Sequence, residues 1–440
     1  MKPNIIFLTI DSLRADKILD KNKSSITPNI DKLISSGTCF NQTISTADQT
    51  GLCLGSVFTS LYPFKSGISY FNFDHNIPNF FNLMKSEGYE LNCFVPDLSF
   101  FKNISKHFDK NEYYVYDERS KWLQLIGYGK DITEKINHMT NPWFYFIHLM
   151  DLRPPYSIPS PFNNKEFGET GYDRMLSYID SWIGKFIENL ELDKTIFVLT
   201  ADHGDYIPVL ENDLNQIKVP SLFKKTKKLI PTNISDKILS SMQKQKKSSK
   251  LKKLKNNLSP QDFRTLQNRC DNFLFDELLK IPFILNGFNI PSNLMIKPQV
   301  RQVDIFPTLS DLAGFSTTLK NITGKSLTPL LNNQTFSEEP AYIETGSSNS
   351  KVLGKLIGIR TSQYKYLRSR DQKTQNVILY DLKNDPNETK NIAPLNPQIV
   401  EQMEMILQKI RENSRIDDLV IISDEHSKEI EDELKKLGYI

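Results

Sequence analysis

The chain has 440 residues, 39% of them hydrophobic and 24% charged, with 18 glycines and a formal net charge of +3. That length holds one large α/β domain with an appendage, or two to three ordinary domains. The composition excludes a repetitive or collagen-like chain, and the near-neutral charge gives no global electrostatic reason to expect nucleic acid as a partner.

The first element is read from Met1-Lys2-Pro3-Asn4-Ile5-Ile6-Phe7-Leu8-Thr9-Ile10-Asp11. Its apolar run is too short for a signal-peptide core and is followed by charge rather than by a small-residue cleavage site. It reads as a β-strand over Ile5 to Ile10, closed by Asp11. An Asp after a strand commonly caps the next helix, and a carboxylate at a strand end also suits a divalent cation. No run approaches the roughly eighteen apolar residues that a membrane span needs. Cys39, Cys53, Cys93 and Cys270 have no paired spacing, which fits a reducing compartment. A cytoplasmic protein with no transmembrane segment is expected.

Next comes "TADQTGLCLGS", Thr46 to Ser56, with two possible nucleophiles, Thr50 and Cys53, one helical turn apart. Further strands are read at Trp143 to Leu149 and Thr195 to Thr200. Between them, Tyr172 to Leu190 sets Met175, Ile179, Ile183 and Phe186 on one face of a helix. This alternation predicts an α/β fold, a mostly parallel sheet covered by helices on both faces. In such sheets ligands bind at the carboxyl ends of the strands, where Asp11 and the pair Asp202-His203 of "TIFVLTADHGD" fall. Two carboxylates and an imidazole suit a divalent metal. His148, inside a strand, reads as a polar contact to a ligand or as a satisfied core histidine. Arg153 reads as a clamp for an anionic oxygen or as half of a surface ion pair.

From Lys224 to Lys255 the chain is rich in lysine, with Asp236 the only acidic residue. This reads as an insertion, placed at about residues 218–272. It suits a solvated loop or exposed helix, or else a contact with an anionic membrane surface, polyphosphate or nucleic acid. The lack of aromatic residues in its Lys-rich part argues against base stacking. "VDIFPTLSDLAGF" reads as a helix closed by Gly314. Beyond Ala341, "KLIGIRTSQYKYLRS" and "QNVILYDLKNDPNETKNIA" read as antiparallel strands, followed by the helix "PQIVEQMEMILQKIREN". The expected organisation is a catalytic domain over 1–340, a small α+β subdomain over 341–413 and a charged tail over 414–440.

With these stretches in order, the chain resembles the sulfatases and their relatives in the alkaline phosphatase superfamily. The landmarks are "PNIIFLTIDSLRAD", "TPNIDKLISSGTCF", "FTSLYPFKSG", "FYFIHLMDLRPPY", "VLTADHGD", "DELLKIPFIL", "VDIFPTLSDLAGF", "GKSLTPLL" and "LYDLKNDPNETKNIA". The resemblance implies an alkaline-phosphatase-like sheet and a single divalent metal, Ca²⁺, Mn²⁺ or Zn²⁺, held by Asp11, Asp202 and His203 together with Thr50. It places the family's nucleophile at Thr50, counted back from "TSLYP", and leaves Cys53 out of register, so no formylglycine is expected. His148 and Arg153 are implied as substrate contacts.

Departures from the family's pattern are Ser12 for a second Asp, Pro96 for a sulfate-binding Lys, Arg153 for a His, and Asn272 near a late Lys or His. Threonine has no second hydroxyl with which to eliminate sulfate, so the resemblance favours phosphoryl chemistry by in-line displacement. The expected activity is hydrolysis or transfer of a phosphate or sulfate ester on a small molecule, glycan or lipid-linked substrate. A sulfuric ester hydrolase without formylglycine, and an inactive scaffold that binds an anionic partner through the basic insertion, are the alternatives.

Overall fold

The computed structural model describes residues 2–68, 73, 77–114, 124–154, 156–207, 264, 273–315, 320–346 and 355–412. The stretch Lys224 to Lys255, His75, Cys270, Asn272, His426 and the tail 414–440 lie outside them. Residues 1–205 and 269–440 make up one compact unit, and 206–268 another.

The first unit is built on eight strands: β1 (Asn4–Ile10), β2 (Thr38–Ile44), β3 (Glu90–Pro96), β4 (Lys110–Tyr114), β5 (Trp143–Leu149), β6 (Thr195–Thr200), β7 (Lys280–Gly287) and β8 (Leu294–Arg301). Their order is β4-β3-β5-β1-β6-β7-β2-β8. Only β7 runs against its neighbours, β6 and β2; the other pairings are parallel. Every residue of β1, β5 and β6 is buried, as expected for strands covered on both faces, which is why they are mostly apolar.

The register fixes what reaches the rim. Ile10 pairs with Leu149 and Thr9 with Thr200, so Asp11, the residues after Leu149 and the Ala201-Asp202-His203 turn emerge side by side. The Asp11 amide donates to the Leu149 carbonyl at 2.8 Å.

The helix Thr50–Thr59 follows β2 and is almost wholly buried. Its Gly51 and Gly55 are poor helix formers, so packing rather than propensity holds it. Phe58 meets Phe7, Phe81 and Phe146 at ring-centroid separations of 5.8, 4.5 and 5.1 Å. At Gly55 a Cβ would come within 2.5 Å of Ile68 Cγ2. The helix Gly171–Glu188 starts at a capping box between Thr170 and Asp173. The helix Ile305–Leu312 is followed by Gly314 in the left-handed region, φ 68°.

A second sheet is antiparallel, in the order β12-β11-β10-β9, from β9 (Ala341–Glu344), β10 (Leu356–Arg360), β11 (Tyr364–Ser369) and β12 (Ile378–Asp381). Its apolar face, with Tyr342, Ile357, Ile359, Tyr366 and Leu379, packs with Met403 and Leu407 of the helix Pro397–Arg411 and with Tyr62 and Val303.

Candidate active site

Asp11 leaves the end of β1 fully buried. Its Oδ1 accepts from Ser12 Oγ at 2.6 Å and from Arg153 Nε at 2.8 Å. Its Oδ2 accepts from Thr50 Oγ1 at 3.2 Å, and His148 Nε2 stands 3.5 Å from the same oxygen. Burial alone would raise this carboxyl. Arg153, and after it His148 and His203, outweigh burial and hold Asp11 well below the usual carboxylate range.

Asp202 and His203 follow β6. Asp202 Oδ1 accepts from the amides of His203 at 2.8 Å and Ser12 at 3.2 Å. Asp202 Oδ2 is buried without a hydrogen-bond donor and faces His203 Nε2 at 3.4 Å. His203 Nδ1 lies 2.8 Å from the Gly204 carbonyl. A carbonyl only accepts, so Nδ1 carries a proton. His203 Nε2 stands between the Asp202 carboxylate and the Thr50 hydroxyl.

Asp11, Asp202 and His203 each bring a ligand atom within 4.8 Å of the others, all three residues buried. Thr50 Oγ1 is 3.5 Å from His203 Nε2. The Asp202 oxygen without a hydrogen-bond donor and the mixed oxygen and nitrogen ligand atoms fit a divalent cation.

Thr50 is the first residue of its helix, after Gln49 in an extended conformation. Cys53, one turn on, points elsewhere: its Sγ donates to the Ala47 carbonyl at 3.1 Å. Burial, and then the charge of Asp202, pushes its thiol well above the ordinary value, so it is no thiolate nucleophile.

The structure brings all six sequence-chosen residues to one rim, and it corrects two bland readings of them. Arg153 is not half of a surface ion pair, because it is 5% exposed and bound to buried Asp11. His148 is not a satisfied core histidine. Neither ring nitrogen has a hydrogen bond of ordinary geometry, and its ring lies 4.6 Å from that of Phe101. Pro96, standing where the family pattern has a lysine, ends β3 and offers no donor. His107 packs between Phe73 and Phe81, away from the cluster.

Three supporting residues were given no role by the sequence, although Ser12 was marked there as a departure from the family pattern. Ser12 takes a left-handed backbone, φ 67°, costly for a serine, and thereby ties Asp11 to Asp202 through its hydroxyl and amide. Tyr172 Oη donates to the Ser12 carbonyl at 2.8 Å and accepts from the Arg14 amide at 3.0 Å. Gln302 donates to the Asp202 carbonyl at 2.7 Å and accepts from the Thr46 amide at 3.1 Å, joining the turn after β6 to the strand-to-helix link before Thr50.

Comparison with known proteins agrees with this geometry. The sulfatase family profile matches residues 3–315, and the profile of the N-sulphoglucosamine sulphohydrolase C-terminal region matches 269–414. Mouse arylsulfatase K is 22% identical over 342 residues, covering 74% of this chain and 57% of the relative. The chain thus spans little more than half the length of that protein. Human arylsulfatase K is 29% identical over 144 residues, 31% of this chain and 26% of the relative.

Among solved structures, a 2-O GAG sulfatase superposes with a TM-score of 0.69 at 17% identity, covering 97% of this chain and 96% of the other. The phosphonate monoester hydrolase of Agrobacterium radiobacter gives 0.65 at 16% identity, covering 93% and 95%. At such identities these likenesses speak for the alkaline-phosphatase-like fold. The profile match covers well over half of the chain, which belongs to the sulfatase family.

Proposed function

We propose that the protein is a cation-dependent ester hydrolase or transferase that uses the Thr50 hydroxyl as its nucleophile, on phosphate esters in preference to sulfate esters. The observation that carries this reading is the position of Thr50 Oγ1, 3.2 Å from Asp11 Oδ2 and 3.5 Å from His203 Nε2, within the ligand cluster. Asp11, Asp202 and His203 would hold Ca²⁺, Mn²⁺ or Zn²⁺, which lowers the pKa of a neighbouring hydroxyl and neutralises the non-bridging oxygens of an ester.

Asp11 Oδ2 receives the hydrogen bond of the Thr50 hydroxyl and aims its oxygen. Thr50 Oγ1 then forms the new bond to phosphorus and gives its proton to solvent water, while the bond to the alcohol oxygen breaks and that oxygen takes up a proton from water. Water, or a second alcohol, clears the ester from Thr50 by the same in-line displacement. The start of the helix Thr50–Thr59 adds backbone amides that favour anionic oxygens. Arg153 and His148, both buried beside Asp11, are assigned to substrate oxygens. A glycan or lipid-linked ester is the proposed substrate class.

A sulfuric ester hydrolase is the second reading, favoured by the arylsulfatase K relatives. Turnover of an aryl phosphate against an aryl sulfate, after chelation and re-addition of Mn²⁺, Ca²⁺ or Zn²⁺, separates the two. Phosphate turnover that vanishes in Thr50→Ala supports the first reading, and sulfate turnover alone the second. No turnover together with no cation uptake leaves an inactive scaffold.

A further inference from the structure

We propose that Arg153 is an internal counter-cation that sets how tightly this site holds a divalent ion and makes that ion's uptake depend on an oxyanion. The inference rests on the cation reading and adds a regulator to it. Asp11 Oδ1 already accepts from Ser12 Oγ at 2.6 Å and Arg153 Nε at 2.8 Å. Both lone-pair directions of that oxygen are therefore used. A divalent ion at the cluster is left with Asp11 Oδ2, the oxygen that also receives Thr50.

Charge counting leads to the same place. An imidazole that ligates a metal is neutral, so around a bound ion the carboxylates of Asp11 and Asp202 and the guanidinium of Arg153 supply one net negative charge. A divalent ion converts this to one net positive charge in a site where all three groups are buried. Without the ion, Arg153 compensates Asp11, which spares the cost of a lone buried carboxylate. With the ion, the guanidinium becomes a like charge on the same ligand and opposes it, poorly screened in a dry interior. A bound oxyanion removes the excess. Ion and anion therefore raise each other's affinity, and thermodynamic linkage makes the effect equal in both directions.

The test is Mn²⁺ binding by titration calorimetry, with and without inorganic phosphate, on the full chain and three variants. Arg153→Gln is expected to bind Mn²⁺ about ten-fold more tightly than the parent. Phosphate is expected to tighten Mn²⁺ binding by about five-fold in the parent and to have little effect in Arg153→Gln. Arg153→Lys keeps the charge but loses the fixed fork. It is expected to bind about two-fold more tightly than the parent and to keep the phosphate effect, and it decides the matter should Arg153→Gln not fold. Equal or weaker Mn²⁺ binding in Arg153→Gln, or an undiminished phosphate effect there, overturns the proposal while the cation reading stands. If Asp202→Asn binds Mn²⁺ as the parent does, or if no form binds it, the cation reading itself fails and the proposal falls with it.

Discussion

At the rim of the eight-stranded sheet, one of two buried carboxylates, Asp11, is bound by the guanidinium of Arg153, and the other, Asp202, stands against the His203 ring. At the four-stranded sheet, Asp276 and Glu388 share Lys365, and Asp276 also binds Arg360. Lys365 Nζ, fully buried, lies 2.5 Å from Asp276 Oδ1 and 2.6 Å from Glu388 Oε1. Arg360 reaches Asp276 Oδ2 at 2.9 Å, and its other nitrogen donates to Gln42 and Gln299 at 3.0 and 2.7 Å.

The second cluster balances charge with its own side chains and ties β10, β11 and the turn at Glu388 to the segment leading into β7. At the first, Asp202 Oδ2 has no hydrogen-bond donor and faces the His203 ring, whereas Asp276 Oδ1 and Glu388 Oε1, also without an ordinary hydrogen bond, each stand against the Lys365 ammonium. Buried carboxylates that find full partners make a clasp; those left short make a place for a ligand. Asp151 shows a third solution. Its Oδ1 accepts from the Leu125 amide at 3.4 Å, and its Oδ2 has no hydrogen-bond partner among the described residues. Burial pushes its carboxyl up to about 7, so it stays protonated in mildly acid solution.

The comparison is broken most severely at Thr50. Thr50→Ala is expected to lower ester turnover by at least about 10³-fold, with circular dichroism unchanged; residual turnover near the parent's would remove the nucleophile from the open cluster. Lys365→Met should do the reverse, leaving Mn²⁺ uptake intact while costing about 3–5 kcal/mol of stability in urea unfolding, because two carboxylates lose their shared cation.

Asp151 supplies a pH test. Its folded pKa, about 7, lies above the ordinary 3.8. Its contribution to stability is therefore fully present below pH 4 and lost as pH rises through about 7. Melting temperatures between pH 5 and 8 should fall in the parent by an amount worth on the order of 1–4 kcal/mol. Asp151→Asn should flatten that slope, and an equal slope in the variant would assign it to other groups. The mildest change is Gln42→Ala, which removes one of several acceptors from Arg360 at a partly exposed position. A loss of about 1 kcal/mol or less is expected in the same urea assay.

The two clusters also differ in how far the sequence revealed them. Strands β5 and β6 have the bounds read from their apolar runs, Trp143–Leu149 and Thr195–Thr200, because burial on both faces leaves few polar interruptions, His148 being the one inside β5. Residues Asp11, Asp202 and His203 were legible because each ends such a run. The antiparallel direction of β7 was not, since a strand buried on both faces has the same composition either way.

Propensity gives no warning of the helix Thr50–Thr59, with its two glycines, nor local pattern of Ser12, Gln302 or the Arg360–Lys365 clasp. Their roles depend on partners far away in sequence; Gln302 meets Asp202 across 100 positions. Arg153 was legible as a possible anion contact, but its partner Asp11 became known only once β1 and β5 were paired.

Gly204 has a last consequence. Its amide donates to the Leu278 carbonyl at 2.8 Å, and a Cβ there would sit 1.9 Å from the Glu277 carbonyl oxygen. The polypeptide that departs after the histidine turn and the polypeptide that returns to begin β7 are thus stitched together by one peptide contact. Any side chain larger than hydrogen at position 204 would push these two stretches apart, and the carbonyl that holds the His203 ring would move with them.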